Sequence, residues 1–154
     1  MPLSAQPSEG ASLGAQYHGP QPDTDILRLN ARFHDYSATS ILRAVLRLGV
    51  AGQRVAMVSS FGADSVVLLH LVAQADPETP VLFLDTGKLF AETLVYQHQV
   101  ADHLGLRNVT VLRPDATQIA GADPYGALRL RDADACCALR KTDVLARAIT
   151  GFDG

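Results

Sequence analysis

The sequence has little of what would direct a chain to a membrane, to secretion or to nucleic acid. No apolar run approaches the roughly 20 residues that a transmembrane helix needs. The amino terminus has no basic segment followed by an apolar stretch, so no secretory signal is visible. A net charge of −3 provides no basic excess for holding nucleic acid. We therefore expect a cytoplasmic protein with neither a membrane nor a nucleic-acid partner.

Cysteine is also scarce, since Cys136 and Cys137 are the only two in the sequence. They are adjacent, and a disulfide between neighbours is strained, so cysteine does not staple this fold. From the residues alone, the simplest interpretation is a pair of small core side chains. Apolar residues make up 47% and charged residues 19% of the 154 residues, which is typical of one globular domain.

The amino-terminal part divides into a leader and two helices. Residues 1–21 are rich in Ser, Gly, Ala, Gln and Pro and are predicted to be a disordered leader, with the domain covering residues 22–154. Several residues are candidates for helix boundaries: Asp23 or Asp25 and His34 for the first helix, and Ser37 or Thr39, then Gly49 and Gly52, for the second.

Three short β-prone runs follow, at residues 54–59, 81–84 and 109–112. Helical patterns follow the first two, over residues 64–75 and 90–104, with Gly105 as a C-cap. A polar stretch over residues 115–134 and a final helix over about 135–149 follow the third. Strands that are apolar on both faces predict an α/β fold, a parallel sheet within three α/β/α layers. Ligands of such sheets bind beyond the carboxyl ends of the strands.

The turn between the first strand and its helix is a candidate anion site. Free backbone N–H groups and the helix dipole attract an anion at such a turn, and glycine lets the backbone approach it closely. The turn lacks the Walker A lysine and does not match GxGxxG. The alternative is an ordinary turn in which Asp64 or Ser65 caps the helix. The candidate residues are Ser59, Ser60, Phe61, Gly62, Ala63, Asp64 and Ser65.

A second turn, Leu84, Asp85, Thr86 and Gly87, ends the second strand and is expected beside the first turn. Three roles for Asp85 are open. The first is to accept a hydrogen bond from a base or ribose, the second is to cap the helix that begins near Phe90, and the third is to hold Mg²⁺ together with Asp64.

Three ordered motifs together resemble the phosphoadenylyl-sulfate and adenylyl-sulfate reductases of sulfate assimilation. Residues 60–65 resemble a modified PP-loop, SGGxDS, with Phe61 in place of the first glycine. Residues 84–93, LDTGKLFAET, are similar to the family's LDTGxxFxET segment. Residues 136–141, CCALRK, are similar to the CCxxRK motif of its iron–sulfur subclass. The resemblance spans about residues 37–154 and implies the PP-loop fold, also called adenine nucleotide alpha hydrolase-like.

The resemblance also implies a ligand set and a reaction. Cys136 and Cys137 would supply two of the four thiolates of a [4Fe–4S] cluster, Lys141 would offer positive charge to the substrate sulfate, and Arg140 would help to neutralise charge. By the same resemblance, the substrate would be adenylyl sulfate or 3′-phosphoadenylyl sulfate. A thiolate would attack its sulfur, and reduced thioredoxin would release sulfite. Two alternatives concern the same residues: Arg140 and Lys141 as a solvated basic pair, and one of the cysteines as the nucleophile.

The resemblance implies that the attacking thiol, the second pair of cluster ligands and an arginine-rich sulfate-binding segment belong downstream of Gly154, and this chain has no cysteine besides 136 and 137. A fourth strand is also expected after the last helix. Without it the sheet has a bare, apolar edge, and we interpret the chain as a C-terminally truncated, inactive part of a reductase. Two rival hypotheses are a PP-loop ATP pyrophosphatase or adenylyltransferase and a non-catalytic nucleotide-binding remnant. The sequence leaves homo-oligomer formation open.

Overall fold

The computed structural model describes residues 24–48 and 54–154. Helix α1 (Thr24–Phe33) belongs to a unit that ends at Asp35, and residues 36–154 form a second unit. The first helix therefore ends close to the predicted His34, and Asp25 lies inside it rather than capping it. The predicted leader over residues 1–21, the cap at Asp23 and the helix end at Gly49 and Gly52 lie outside the described residues.

Residues 36–154 contain seven further α-helices and three strands among the described positions. Their bounds are α2 Ala38–Leu48, β1 Met57–Val58, α3 Ala63–Ala75, β2 Val81–Leu84, α4 Ala91–Leu104, β3 Val109–Leu112, α5 Ala116–Ala122, α6 Leu128–Arg131, α7 Ala133–Cys137 and α8 Asp143–Ile149. Ser37 caps α2, as predicted, because its Oγ accepts the Ser40 N–H at 3.3 Å. Gly105 ends α4 in the left-handed conformation, also as predicted.

The three strands form one parallel sheet in the order β1-β2-β3, which confirms the α/β class. Met57 is in register with Val81, and Val81 is in register with Val109. Helices α3 and α4 contact each other, as expected for two right-handed crossovers that step in the same direction, and α8 contacts β3. All three strands therefore end at the same edge of the sheet.

The carboxy-terminal residues contact the segment just before β1, whereas Val58 of β1 itself is 47% exposed, so the edge expected to be bare is covered only at residues 54–56. The Asp153 N–H donates to Arg54 O at 2.8 Å, and the Ala56 N–H donates to Gly154 O at 2.9 Å. The Asp153 carboxylate also accepts the Arg54 N–H at 2.8 Å. These three bonds tie residues 153 and 154 to residues 54 and 56, while the described sheet has three strands.

The core lies between the sheet and the helices α3 and α4. Strand β2 is apolar and buried on both faces, because Val81, Leu82 and Phe83 are all at most 3% exposed. The buried cluster is formed by Phe61, Leu69, Val81, Phe83, Val100, Ala101 and Leu106. The middle strand β2 is therefore the centre of the core, and the second turn follows it directly.

Two predictions of regular structure need correction. The stretch over residues 115–134 contains the short helices α5 and α6, and the Asp115 carboxylate caps α5 by accepting the Gln118 N–H at 2.9 Å. The final helix begins at Ala133, two residues earlier than predicted, and Ala138–Thr142 form a π-helical turn between α7 and α8. In residues 24–48 and 54–154, no helix is long and apolar enough to cross a membrane.

Candidate functional site

The first turn is anchored to the core by an aromatic side chain. The Ser59 Oγ accepts the Phe61 N–H at 3.1 Å, and Phe61 has a φ of +56°. A residue other than glycine in this region costs about 1–2 kcal/mol. The Phe61 side chain is 2% exposed, and its ring meets that of Phe83 edge to face, with the centroids 5.5 Å apart. Burial of the ring offsets the backbone cost, so the turn is held in one conformation.

The start of α3 leaves backbone donors open. Gly62 is the N-cap, and its carbonyl accepts the Ser65 N–H at 2.9 Å. The alternative with Asp64 or Ser65 as the cap is therefore wrong. The N–H groups of Gly62, Ala63 and Asp64 donate to none of the described residues. Three open donors at the positive end of a 13-residue helix are suited to binding an anion.

The second turn is held by the carboxylate of Asp85, which is 7% exposed. Its Oδ1 accepts the Gly87 N–H at 3.0 Å, and its Oδ2 accepts the Arg113 Nε at 2.9 Å. Gly87 has a φ of +68°, a conformation that favours glycine. Helix α4 has Phe90 as its N-cap and no side-chain cap, so the predicted capping role of Asp85 is wrong.

The magnesium alternative for Asp85 gains no support. Both of its oxygens already accept hydrogen bonds, one of them from a guanidinium group. Asp64 is exposed, and it is absent from both cavities described below. Within the described parts of the chain, no group of three or more His, Cys, Asp or Glu residues is arranged to hold a metal ion.

A cleft of about 250 Å³ brings three predicted segments together at the carboxyl edge of the sheet. The first turn contributes two serine residues, the second turn contributes a threonine, and the π-helical turn contributes the exposed Lys141. Lys141 makes no hydrogen bond or ion pair with any described residue. The lining residues are Val58, Ser59, Ser60, Phe83, Leu84, Thr86, Leu89 and Lys141. The cleft therefore combines apolar walls with three side chains that bear hydroxyls and one ammonium group.

A second cavity of about 600 Å³ lies on the other side of the Asp85–Lys88 turn. Lys88 crosses it, and its Nζ donates to Gly126 O at 3.0 Å. The charged residues in its lining are Asp85, Lys88, Arg113, Asp123 and Arg140. Both of the carboxylates are paired with arginine, so the lining has one net positive charge.

A buried ion pair lies behind the cleft. The Arg140 Nη2 donates to the Asp123 Oδ2 at 2.7 Å, with side-chain exposures of 7% and 1%. The Arg140 Nη1 donates to Thr86 O at 2.8 Å, and Asp123 Oδ1 accepts the Leu128 N–H at 2.8 Å. The hydrogen bond from Arg140 holds the pKa of Asp123 below its usual range, and the bond from the Leu128 N–H acts in the same direction. The Arg140 Nε is buried without a partner in the described structure.

The two cysteines end α7, one turn before the basic pair. Cys136 is half-buried and Cys137 is exposed, and both thiols are free. The π-helical turn starts at the next residue, and such turns occur frequently at functional sites. Neither cysteine lines the cleft or the second cavity.

Comparison with known proteins places this arrangement in a family. Residues 54–154 match the family described as "Phosphoadenosine phosphosulfate reductase domain". The chain belongs to the phosphoadenosine phosphosulfate reductase family. The match covers the whole sheet, both turns and the cysteine pair, so the resemblance noted in the three motifs is confirmed.

Relatives and a solved structure agree with the family. A protein named adenosine 5′-phosphosulfate reductase from Chelativorans sp. (strain BNC1) is 45% identical over 131 residues, which cover 84% of this chain and 53% of the relative. A protein of the same name from Mesorhizobium japonicum is 49% identical over 98 residues, covering 64% of this chain and 39% of the relative. This chain therefore spans about half the length of the curated relatives it matches.

The fold is shared with the crystal structure of phosphoadenylyl-sulfate (PAPS) reductase from Candida auris, solved as a phosphate complex. The TM-score is 0.65 at 20% sequence identity, and the alignment covers 85% of this chain and 64% of that chain. This likeness confirms the predicted PP-loop-type α/β fold.

The predicted site residues fall into four groups. Ser59, Ser60, Leu84, Thr86 and Lys141 meet in the cleft, whereas Asp85, Gly87 and Arg140 line the second cavity. Phe61 belongs to the core. The remaining residues lie outside both linings: Gly62, Ala63, Asp64 and Ser65 at the start of α3, and Cys136 and Cys137 at the end of α7.

Sequence reasoning missed Arg113 and Asp123. Arg113 directly follows β3, so the rule that sites lie beyond the carboxyl ends of parallel strands was a usable signal. Asp123 lies 17 positions before its partner, in a stretch with no apolar period, and nothing local indicates that its carboxylate is buried.

Proposed function

We propose that this chain forms the sulfonucleotide-binding part of an assimilatory reductase that converts adenylyl sulfate to sulfite, with 3′-phosphoadenylyl sulfate as the alternative substrate. The observation that carries the proposal is the cleft that joins Ser59, Ser60, Thr86 and Lys141. The names of the Chelativorans and Mesorhizobium relatives favour adenylyl sulfate.

The groups around the cleft match the two halves of this substrate. Hydroxyls of Ser59 and Ser60 and the open N–H groups at the start of α3 are donors for phosphate and sulfate oxygens. The Lys141 ammonium adds a positive charge that no ion pair with the described residues neutralises. The apolar walls, which include Leu84 and Leu89, are suited to the adenine ring.

In the proposed reaction a cysteine thiolate attacks the sulfate sulfur. An S–S bond forms, the bond from sulfur to the phosphate oxygen breaks, and AMP leaves with the electron pair. One thiolate of reduced thioredoxin then attacks the S-sulfonated cysteine and releases sulfite. The second thioredoxin thiol resolves the mixed disulfide, so that the two electrons come from the thioredoxin dithiol. The residues of this chain bind and orient the sulfate, and Lys141 neutralises its charge.

Cys136 and Cys137 are proposed as two of the four ligands of a [4Fe–4S] cluster. Two free, adjacent thiols, one exposed and one half-buried, fit half of such a ligand set. The cluster, when bound, would supply local charge beside the sulfate site. Because both thiols are assigned to the cluster, the attacking thiol is proposed to lie outside this chain, and the 154-residue chain alone is predicted to release no sulfite. The thioredoxin partner and a cytoplasmic location stay predictions.

Calorimetric titration of the 154-residue chain with adenylyl sulfate, 3′-phosphoadenylyl sulfate, AMP and ATP tests the proposal. We expect a sulfonucleotide to bind about tenfold or more tightly than AMP, since charge-assisted contacts to the sulfate add about 1.5–3 kcal/mol. Lys141→Ala should reduce this preference for the sulfonucleotide.

Lys88→Ala is the matched control, because Lys88 is the other lysine of the chain and lies in the second cavity. It should leave the preference unchanged. Equal binding of AMP and adenylyl sulfate by the unmodified chain would contradict the proposal. Cleavage of ATP to AMP and pyrophosphate would instead support the ATP pyrophosphatase hypothesis.

A further inference from the structure

We propose that Arg140 is a positioning residue that acts through Thr86 and Lys141 and does not itself contact the substrate sulfate. This inference rests on the proposed function and assigns a different role to each member of the basic pair. Asp123 shares this positioning role, because its carboxylate binds the guanidinium group from the side away from the cleft.

The first argument is the engagement of the guanidinium group. Arg140 is 6% exposed, and its two terminal nitrogens donate to Asp123 and to the Thr86 carbonyl at 2.7 and 2.8 Å. Its charge is already neutralised by a carboxylate whose side chain is 1% exposed. A guanidinium group that is paired and buried has little charge to offer to a ligand in the cleft.

The second argument concerns the segments that the hydrogen bonds of Arg140 and Asp123 hold together around the cleft. Thr86 lines the cleft, and its hydroxyl accepts the Lys88 N–H at 3.2 Å. The bond from Arg140 to the Thr86 carbonyl, 54 positions away in sequence, ties this turn to the helix that carries the cysteines. Asp123 adds the connection between α5 and α6 through the Leu128 N–H. One side chain therefore sets the distance between two walls of the cleft.

The third argument is the contrast with the next residue. Lys141 is exposed, lines the cleft and has no partner among the described residues. Fixing Arg140 fixes the backbone from which Lys141 projects. The buried Arg140 therefore orients the lysine that follows it, and the exposed Lys141 supplies the free positive charge.

Two variants and one control test the assignment in the full 154-residue chain. Asp123→Asn removes the carboxylate charge without touching the cleft, and Arg140→Lys keeps the positive charge but cannot form the fork between two partners. Glu78→Gln is the matched control, since Glu78 forms an exposed ion pair with Arg107 at 3.1 Å before β2, away from the cleft. Each variant is examined for adenylyl-sulfate affinity at several salt concentrations and for amide hydrogen exchange over residues 84–90 without ligand.

For a positioning role we expect Asp123→Asn and Arg140→Lys to weaken binding about tenfold, which corresponds to about 1.4 kcal/mol, with the salt dependence unchanged. Amide exchange at the Thr86–Lys88 turn should be faster in both variants and unchanged in Glu78→Gln. Lys141→Ala, by contrast, should reduce the salt dependence.

Two results would overturn the inference. If Arg140 contacts the sulfate, Asp123→Asn frees its charge, and binding becomes tighter and more sensitive to salt. If the ion pair has a merely structural role, the melting temperature falls while affinity and turn exchange, measured well below it, stay unchanged. Should the unmodified chain bind no sulfonucleotide, the proposed function fails, yet the exchange experiment still decides whether Arg140 holds the turn.

Discussion

The position of Phe61 predicts an unusual order of stability among its substitutions. Its ring is almost fully buried against Phe83, and its backbone is in the left-handed region with a φ of +56°. Phe61→Ala removes the ring and keeps a Cβ in this strained conformation. Phe61→Gly removes both the ring and the strain.

The magnitudes follow from these two features. Loss of a buried phenylalanine ring costs about 3–5 kcal/mol. A Cβ in the left-handed region costs about 1–2 kcal/mol, against roughly 0.4–1 kcal/mol for the greater freedom of glycine in the unfolded chain. We therefore expect Phe61→Ala to lower the free energy of unfolding by about 3–5 kcal/mol and Phe61→Gly by up to about 1.6 kcal/mol less.

Urea unfolding at 25 °C, followed by circular dichroism, measures the difference. Phe83 is the matched control, because it is the ring partner and lies in the extended strand β2, where glycine is worse than alanine by about 0.5–1 kcal/mol. The order of the glycine and alanine variants should thus reverse between the two positions. The reasoning is refuted if Phe61→Gly is clearly less stable than Phe61→Ala, or if Phe61→Ala costs less than about 1 kcal/mol.

Three further predictions concern the surroundings of the cleft. Gly126→Ala should destabilise the chain by about 1–2 kcal/mol in urea unfolding, because Gly126 has a φ of +68°; the new Cβ would also displace the flexible end of Lys88, whose Nζ would be 2.6 Å away. Gly121→Ala, in helix α5 with open space around the Cβ, should be neutral or stabilising. Ser59→Ala should cost about 1–3 kcal/mol in the same assay, because it leaves a buried backbone N–H without its acceptor. The lowered pKa of Asp123 stabilises the fold above the ordinary carboxyl pKa, and this contribution is lost as the pH falls through the folded value. In thermal unfolding between pH 7 and 3, the melting temperature should therefore decline less steeply with falling pH for Asp123→Asn than for the unmodified chain. Equal slopes would contradict this prediction.

The parts of the fold that depend on local pattern were predictable. Short apolar runs gave the three strands, and a parallel sheet brings the ends of β1 and β2 to one edge. This alone placed Ser59 and Thr86 together. Lys141 entered through the resemblance, and the structure then places it in the same cleft.

The contacts that the sequence did not reveal are those between residues far apart along the chain. The pairing of Arg140 with Asp123 and the bond from Arg113 to Asp85 join segments 17 and 28 positions apart, with no periodic signal that marks either. The side chain of Phe61 was placed near the ligand by its motif, whereas burial against Phe83 directs it into the core.

The π-helical turn divides the carboxy-terminal helix into two halves with separate alignments. A π turn holds one residue more than the α turn it replaces, so everything after it is rotated by about 100° relative to an uninterrupted helix. Val144 on the far half is 5% exposed, while the near half presents Cys137 to solvent. A regular helix would have to compromise between these two orientations. The extra residue removes that conflict, because it lets Cys137 face solvent while Val144 faces the core.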